Sequence, residues 1–212
     1  MSRLSEPTES ENAQSNTSGQ TTDKLIWTIG HSRHEIPDFV SILQSARIQV
    51  VADVRSAPYS RIAPQFNQEP LRAQLAEAGI DYVFLGRELG GRPAEDHMYD
   101  DRGRVFYNLL AETPLFKSGI ERMVTGARRF RIALLCSEGS PDGCHRNLLV
   151  ARVLQDSGFH VRHLLPDGSE VEATRPPAPA VVQDLFGDVE VEEWKSAVSV
   201  RQAQQPNDSS HD

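Results

Sequence analysis

The chain has little cysteine and little lysine, and it has no long apolar run. Only two cysteines occur in 212 residues, Cys136 and Cys144, too few to staple a fold. No 18-residue apolar stretch and no signal-peptide pattern is present, so the reading is a soluble, cytoplasmic chain with no membrane partner. Walker and dinucleotide glycine signatures are missing, which argues against an ATP or nicotinamide enzyme of the usual kind, and no cofactor is expected. The close-set cysteine pairs of structural zinc sites are missing too, and no metal is expected. A phosphatase loop is excluded by spacing, because Cys136 precedes Arg146 by ten positions and Cys144 precedes it by two.

Large apolar side chains are scarce at both ends. Residues 1–23 and 176–212 are rich in Ser, Gln, Asn, Pro and acids, and composition of that kind predicts disordered tails around a single domain at 24–175. The tails also hold the net charge. One basic residue faces four acids in the first, and two face seven in the second. Of the totals of 22 and 30, that leaves 19 of each sign in the body. A neutral body argues against strong non-specific DNA binding. Seventeen of its basic residues are arginine, which suits bidentate recognition of phosphate or carboxylate unless it reflects codon usage alone.

Within the body, β-rich runs alternate with helical periodicity. Strands are predicted at Leu25–Ile29, Ile48–Arg55, Ile80–Leu85, Arg131–Leu135 and His160–Leu165. Helices are predicted at 35–46, from Gln68 to the stop at Gly79, from Thr113-Pro114 to about Ala127, and over 145–157. This order implies a three-layer α/β/α domain with a mostly parallel sheet of about five strands. Residues 86–107 lack a period and read as a functional loop.

Ligands of such sheets bind beyond the carboxyl ends of the strands. Those ends deliver His31 and Ser32, then Asp53, Arg55 and Arg61, then Arg92, and finally Cys136, Glu138, Cys144, His145 and Arg146, whereas the opposite connections are bland. The last group lies on a polar loop between a strand and a helix, an arrangement that aims backbone N–H groups at an anion. Cys144 at the helix start is a candidate nucleophile, with a capping or packing role as the alternative. Cys136 closes an apolar run and reads as either a buried hydrophobe or a ligand group. Glu138 is the candidate general acid or base, its rival role being to cap the helix. His145 and His31 complete the candidate proton-handling set. Ser32, Asp53, Arg55, Arg61, Arg92, Cys136 and Arg146 form the candidate substrate-binding set.

Several short motifs occur in order: Thr28-Ile29-Gly30-His31-Ser32, Asp53-Val54-Arg55-Ser56 with Ser60-Arg61, Phe66-Asn67, Leu89-Gly90-Gly91-Arg92, and Leu135-Cys136 with Glu138 and Cys144-His145-Arg146. Together, from about Leu25 to Leu165, they resemble the bacterial family catalogued as domain of unknown function 488 (DUF488). The resemblance implies a Rossmann-like α/β domain and no settled reaction. It maps the family's signature residues onto His31, Asp53, Arg55, Glu138, Cys144, His145 and Arg146.

Two functional classes follow. One is an enzyme, a hydrolase or transferase with acid/base or thiol chemistry, acting on a phosphorylated or nucleotide-like substrate. The other is a non-catalytic module that binds a small anionic or nucleotide-like ligand or a nucleic-acid end. In the tail, Gln183-Asp184-Leu185-Phe186 resembles a degenerate sliding-clamp-docking peptide, which would link the chain to replication or repair. The competing reading is that Leu185 and Phe186 pack back onto the body.

Overall fold

The computed structural model describes residues 24–175, 181–183, 189–191 and 194–200. The apolar runs become strands β1 (Leu25–Gly30), β2 (Val50–Asp53), β3 (Asp81–Phe84), β4 (Ile132–Cys136) and β5 (His160–Leu164). A sixth, β6 (Glu170–Glu172), folds back antiparallel on β5; the other pairings of this sheet are parallel. The order is β3-β2-β4-β1-β5-β6, so β4 inserts between β2 and β1. β2 and β4 are buried throughout and β1 nearly so, as near-continuous apolar strands in the middle of a parallel sheet should be. β3, at the edge, is only partly covered.

Alternate strand residues feed opposite cores. Trp27, Ile29, Val51, Ala133 and Leu135 face α1 (Ile36–Ser45) and α2 (Gln68–Glu77), which contribute Phe39, Leu43, Leu71 and Leu75. Ile26, Val50, Ala52, Ile132, Leu134 and Val161 face the other way. There they meet the short α3 (Gly86–Leu89), α4 (Tyr107–Glu112), α5 (Pro114–Ala127) and a helix that is π-helical over Arg146–Ala151 and continues as α6 (Arg152–Asp156). α5 starts where Thr113 Oγ1 accepts from the Phe116 N–H, and it buries Phe116, Ile120, Met123 and Ala127 at helical spacing. The domain is therefore a three-layer α/β/α sandwich.

The long connection 86–107 is ordered by α3, a turn at Asp96–Met98 and a bridge between Tyr99 and Val105. It is strapped down by residues 194–200, a stretch whose composition places it in the tail. The Val105 and Gly103 carbonyls accept from the N–H groups of Ser196 and Val200 at 2.9 and 3.0 Å, and the Tyr107 N–H donates to the Trp194 carbonyl at 2.7 Å. Trp194 Nε1 donates to the Leu148 carbonyl at 2.9 Å, and the Arg152 guanidinium lies 4.3 Å from its ring centroid. Val181–Gln183 (β7) and Val189–Val191 (β8) pair as an antiparallel ribbon; the remainder of the clamp-like motif, Asp184 to Phe186, lies outside the described residues. No helix among the described residues is long and apolar enough to cross a membrane.

Candidate active site

The carboxyl ends of β1, β2 and β4 are level: Gly30 pairs with Cys136, and Asp53 pairs with Leu135. The chain after β4 is first held by main-chain bonds. His31 N–H donates to the Cys136 carbonyl and Ser32 N–H to the Ser137 carbonyl, both at 3.0 Å. Arg146, fully buried, then folds back under the loop and donates to the Glu138 carbonyl and, at 2.9 Å, to the Gly139 carbonyl. Any side chain at Gly30 would run into the Glu138 carbonyl, so the close approach of β1 to this loop requires glycine.

On this support four side chains meet. The Cys136 and Cys144 thiols both lie against Glu138 Oε2, at 2.7 and 3.1 Å. The His145 ring is held at Nε2 by the Val54 carbonyl (2.9 Å), which can only accept, so Nε2 carries a proton and Nδ1 faces Cys136 Sγ at 3.6 Å. Gly91 lies against this ring, where a Cβ would come within 2.7 Å of His145 Cγ. The two buried thiols titrate as a pair in opposite directions. Cys136 is pulled well below the ordinary thiol range, chiefly by its contact with the Cys144 thiol, with His145 and Glu138 adding to the effect against the opposing cost of burial. Cys144 is pushed up by that same contact and by burial. For His145, burial works against the charged ring, but the adjoining Cys136 and the Val54 carbonyl outweigh it and raise the value. Glu138 stands on an exposed stretch of loop although its Oε2 is engaged inward.

Asp53 and Arg55 form a buried ion pair at 2.5 Å, with the Tyr82 hydroxyl donating to Asp53 at 2.7 Å and Arg55 Nη2 donating to the Phe66 carbonyl at 2.9 Å. Burial pulls the Arg55 value down, and Asp53 more than reverses it. His31 stacks on Phe66 at 4.4 Å between ring centroids, with Nδ1 at 3.0 Å from the Ser32 carbonyl. Its Nε2 is buried without a partner among the described residues, and burial, helped by Arg55, lowers the ring's value to about 4. His31 is therefore a neutral ring with an unused acceptor.

These groups border a cleft of about 310 Å³. Of the residues singled out from sequence, His31, Arg55, Arg92, Cys136, Glu138 and His145 line it. Cys144, Asp53 and Arg146 are buried and outside its lining, each bonded to a group that lines it or to the loop that carries one. Ser32 is beside the loop, in a left-handed backbone conformation, and Arg61 is exposed and outside the cleft wall. The wall also includes Tyr59 and Ser60, which the sequence places just after β2 beside Arg61, and Tyr107, Val198 and Val200, which sequence reasoning did not select. Val198 and Val200 reach the wall only because the strap returns. Among the described residues, the potential metal-ligand atoms of Cys136, Cys144 and His145 lie within 4.8 Å of one another.

Fold and site together define an α/β protein with a thiol–carboxylate–imidazole cluster at the carboxyl edge of a parallel sheet. The chain belongs to the family described as domain of unknown function DUF488, whose model matches residues 35–153. That span includes all four cluster residues and Asp53–Arg55, but not His31. Comparisons with curated proteins and with solved structures find no match for the chain.

Proposed function

We propose that this protein is a hydrolase or transferase working by thiol chemistry on a phosphorylated or nucleotide-like substrate bound in the 310 Å³ cleft. The carrying observation is Cys136 Sγ on the cleft wall with Glu138 Oε2 at 2.7 Å and His145 Nδ1 at 3.6 Å. Two acceptors 2.7 Å apart share one proton. Cys136 gives its proton to Glu138 and attacks as the thiolate, with the Cys144 S–H and the His145 ring stabilising the negative sulfur. Glu138, on the exposed loop, then hands the proton to the leaving group, and water or a second substrate releases the product from sulfur. Cys144 serves this nucleophile rather than being it, because it is the higher-titrating thiol and, unlike Cys136, does not line the cleft.

For binding, Arg92 offers an exposed guanidinium on the cleft wall, and Arg55 is oriented by Asp53. His31 Nε2 accepts from a substrate N–H or O–H, and Ser32 and Arg61 belong to the outer rim. Arg146 positions the loop instead of contacting substrate.

The test is an unbiased screen of phosphorylated and nucleotide-like compounds by mass spectrometry, looking for turnover and for a mass adduct on Cys136. Cys136→Ser should abolish both, and Glu138→Gln should lower turnover by about 10²–10⁴-fold with affinity nearly unchanged. Tight binding of a nucleotide with no turnover and no adduct would favour the non-catalytic binding module instead.

A further inference from the structure

Three of the four cluster residues are soft or borderline metal donors, and their placement goes beyond a nucleophile and its helpers. The ligand atoms of Cys136, Cys144 and His145 lie within 4.8 Å of one another. His145 offers Nδ1 because the Val54 carbonyl occupies its Nε2 proton at 2.9 Å; a backbone carbonyl fixing the far nitrogen is the usual support of a metal-binding imidazole. The 3.6 Å from Nδ1 to Cys136 Sγ matches the edge, roughly 3.6 Å, of a tetrahedron with Zn–S near 2.3 Å and Zn–N near 2.0–2.1 Å. Both thiols point at one carboxylate oxygen, so a cation that replaced their protons would meet a negative charge already in place. Arg146 Nη1 lies 3.5 Å from Cys144 Sγ and gives that sulfur an N–H donor.

We infer that Cys136, Cys144 and His145 form a zinc site with three protein ligands and a fourth position directed at Glu138 and the cleft. Loading exchanges protons for metal: two thiols and a neutral imidazole take up Zn²⁺ and release two protons. Glu138 Oε2 sits closer to both sulfurs than a tetrahedral edge allows, so it draws back on loading and holds a proton of the fourth ligand, water. The sequence argued against zinc because it lacks close-set cysteine pairs. Here the second cysteine and the histidine are adjacent at a helix start instead, eight and nine positions after the first cysteine. The site rests on donor geometry alone and does not need Cys136 to act on a substrate; where it does act, zinc masks the thiol.

The experiment is cobalt substitution of the full chain, stripped by chelator under reducing conditions. One equivalent of Co²⁺ should give tetrahedral visible bands and a sulfur-to-cobalt charge-transfer band, both bleached by one equivalent of Zn²⁺. Cys136→Ser and Cys144→Ser should each halve the charge-transfer band. His145→Gln should keep two sulfurs yet weaken Co²⁺ at least about tenfold, the low end of what support-shell losses cost. Circular dichroism confirms that each variant is folded. The inference is overturned if no charge-transfer band forms at one equivalent, or if the Cys136→Ser, Cys144→Ser double variant binds as tightly as the parent. Turnover plays no part in these readouts: metal-free protein that turns nothing over in the compound screen would sink the thiol-enzyme reading and leave the metal site standing, and failure to bind Co²⁺ would sink the metal site and leave that reading standing.

Discussion

Arg146→Met asks whether the buried guanidinium holds the site together. Methionine keeps an unbranched apolar stem and removes the donors to the Glu138 and Gly139 carbonyls. Hydrogen bonds to a charged group contribute about 1.5–3 kcal/mol each, so the two together supply about 3–6 kcal/mol. Opposing this, Arg146 is fully buried and takes part in no ion pair among the described residues, so removing it returns part of a desolvation cost of several kcal/mol. The freed carbonyls also lie on a loop that water reaches. The balance is a loss of about 2 kcal/mol, or about 4–8 °C in melting temperature for a domain of this size. The chemical effect should exceed the thermal one. The loop that carries Glu138 loses its tie, and with it the 2.7 Å contact to Cys136. Scanning calorimetry reads the first effect, and alkylation of chelator-treated protein at pH 7 with peptide mapping of Cys136 reads the second. A melting temperature within about 1 °C of the parent, with Cys136 alkylated at the parental rate, would refute the loop-tie reasoning.

Three further outcomes are expected. Gly30→Ala drives a methyl group into the Glu138 carbonyl and to within 2.9 Å of Arg146 Nη1; overpacking of this kind costs about 1–3 kcal/mol, and a urea midpoint equal to the parent's would contradict it. His31 and His163 are both lowered to about 4 by burial, so below 6.5 the unfolded chain binds protons that the folded one refuses. Their contribution is whole above pH 6.5 and drains away as pH falls toward 4, by no more than about 3 kcal/mol each. Urea midpoints should therefore drop between pH 6.5 and 4, less steeply in His163→Asn, and equal slopes in parent and variant would rule this out. Trp194→Ala removes the ring beneath Arg152, the edge contact to Tyr107 at 5.9 Å and the bond to Leu148. For a half-buried tryptophan the loss should be about 1–3 kcal/mol, with faster tryptic cleavage after Lys195; unchanged cleavage would mean the strap is held elsewhere.

Much of the fold was readable because the central strands are buried on both faces. Runs such as Ile132–Cys136 admit few other readings, and Thr113-Pro114 starts α5 by a local rule. The insertion of β4 between β2 and β1 leaves no local trace, because it depends on which helices cover which face. The convergence at the strand ends was readable from residue types alone. The titration order of the two cysteines was not. Cys144 at a helix start looks like the activated thiol, but Cys136 gains that character from Glu138, His145 and Cys144 itself, contacts that exist only once the loop closes. Arg146 beside a Gly-rich loop likewise looks like an anion clamp, yet its donors go to two loop carbonyls and the Cys144 sulfur. The strap at 194–200 was hidden by composition, although a tryptophan in an otherwise polar stretch is the kind of anchor that signals docking.

Cys144 and His145 serve one cluster from adjacent positions, at the start of a helix that departs from regular geometry over the next six residues. Consecutive residues of an α-helix diverge by about 100° around its axis, so adjacent side chains do not naturally serve one point. The chain first makes a tight turn here, with the N–H groups of Asn147 and Leu148 both donating to the Cys144 carbonyl at 3.0 and 2.9 Å, and then widens into the π-helical stretch Arg146–Ala151. In this stretch Arg146 Nε and Asn147 Oδ1 are buried without partners among the described residues. Polar groups left unpaired inside a protein cost stability, and π-helical segments are frequent at functional sites. The energetic cost and the chemistry thus meet in one segment, where two neighbouring residues reach a cluster built on Cys136 across a seven-residue loop.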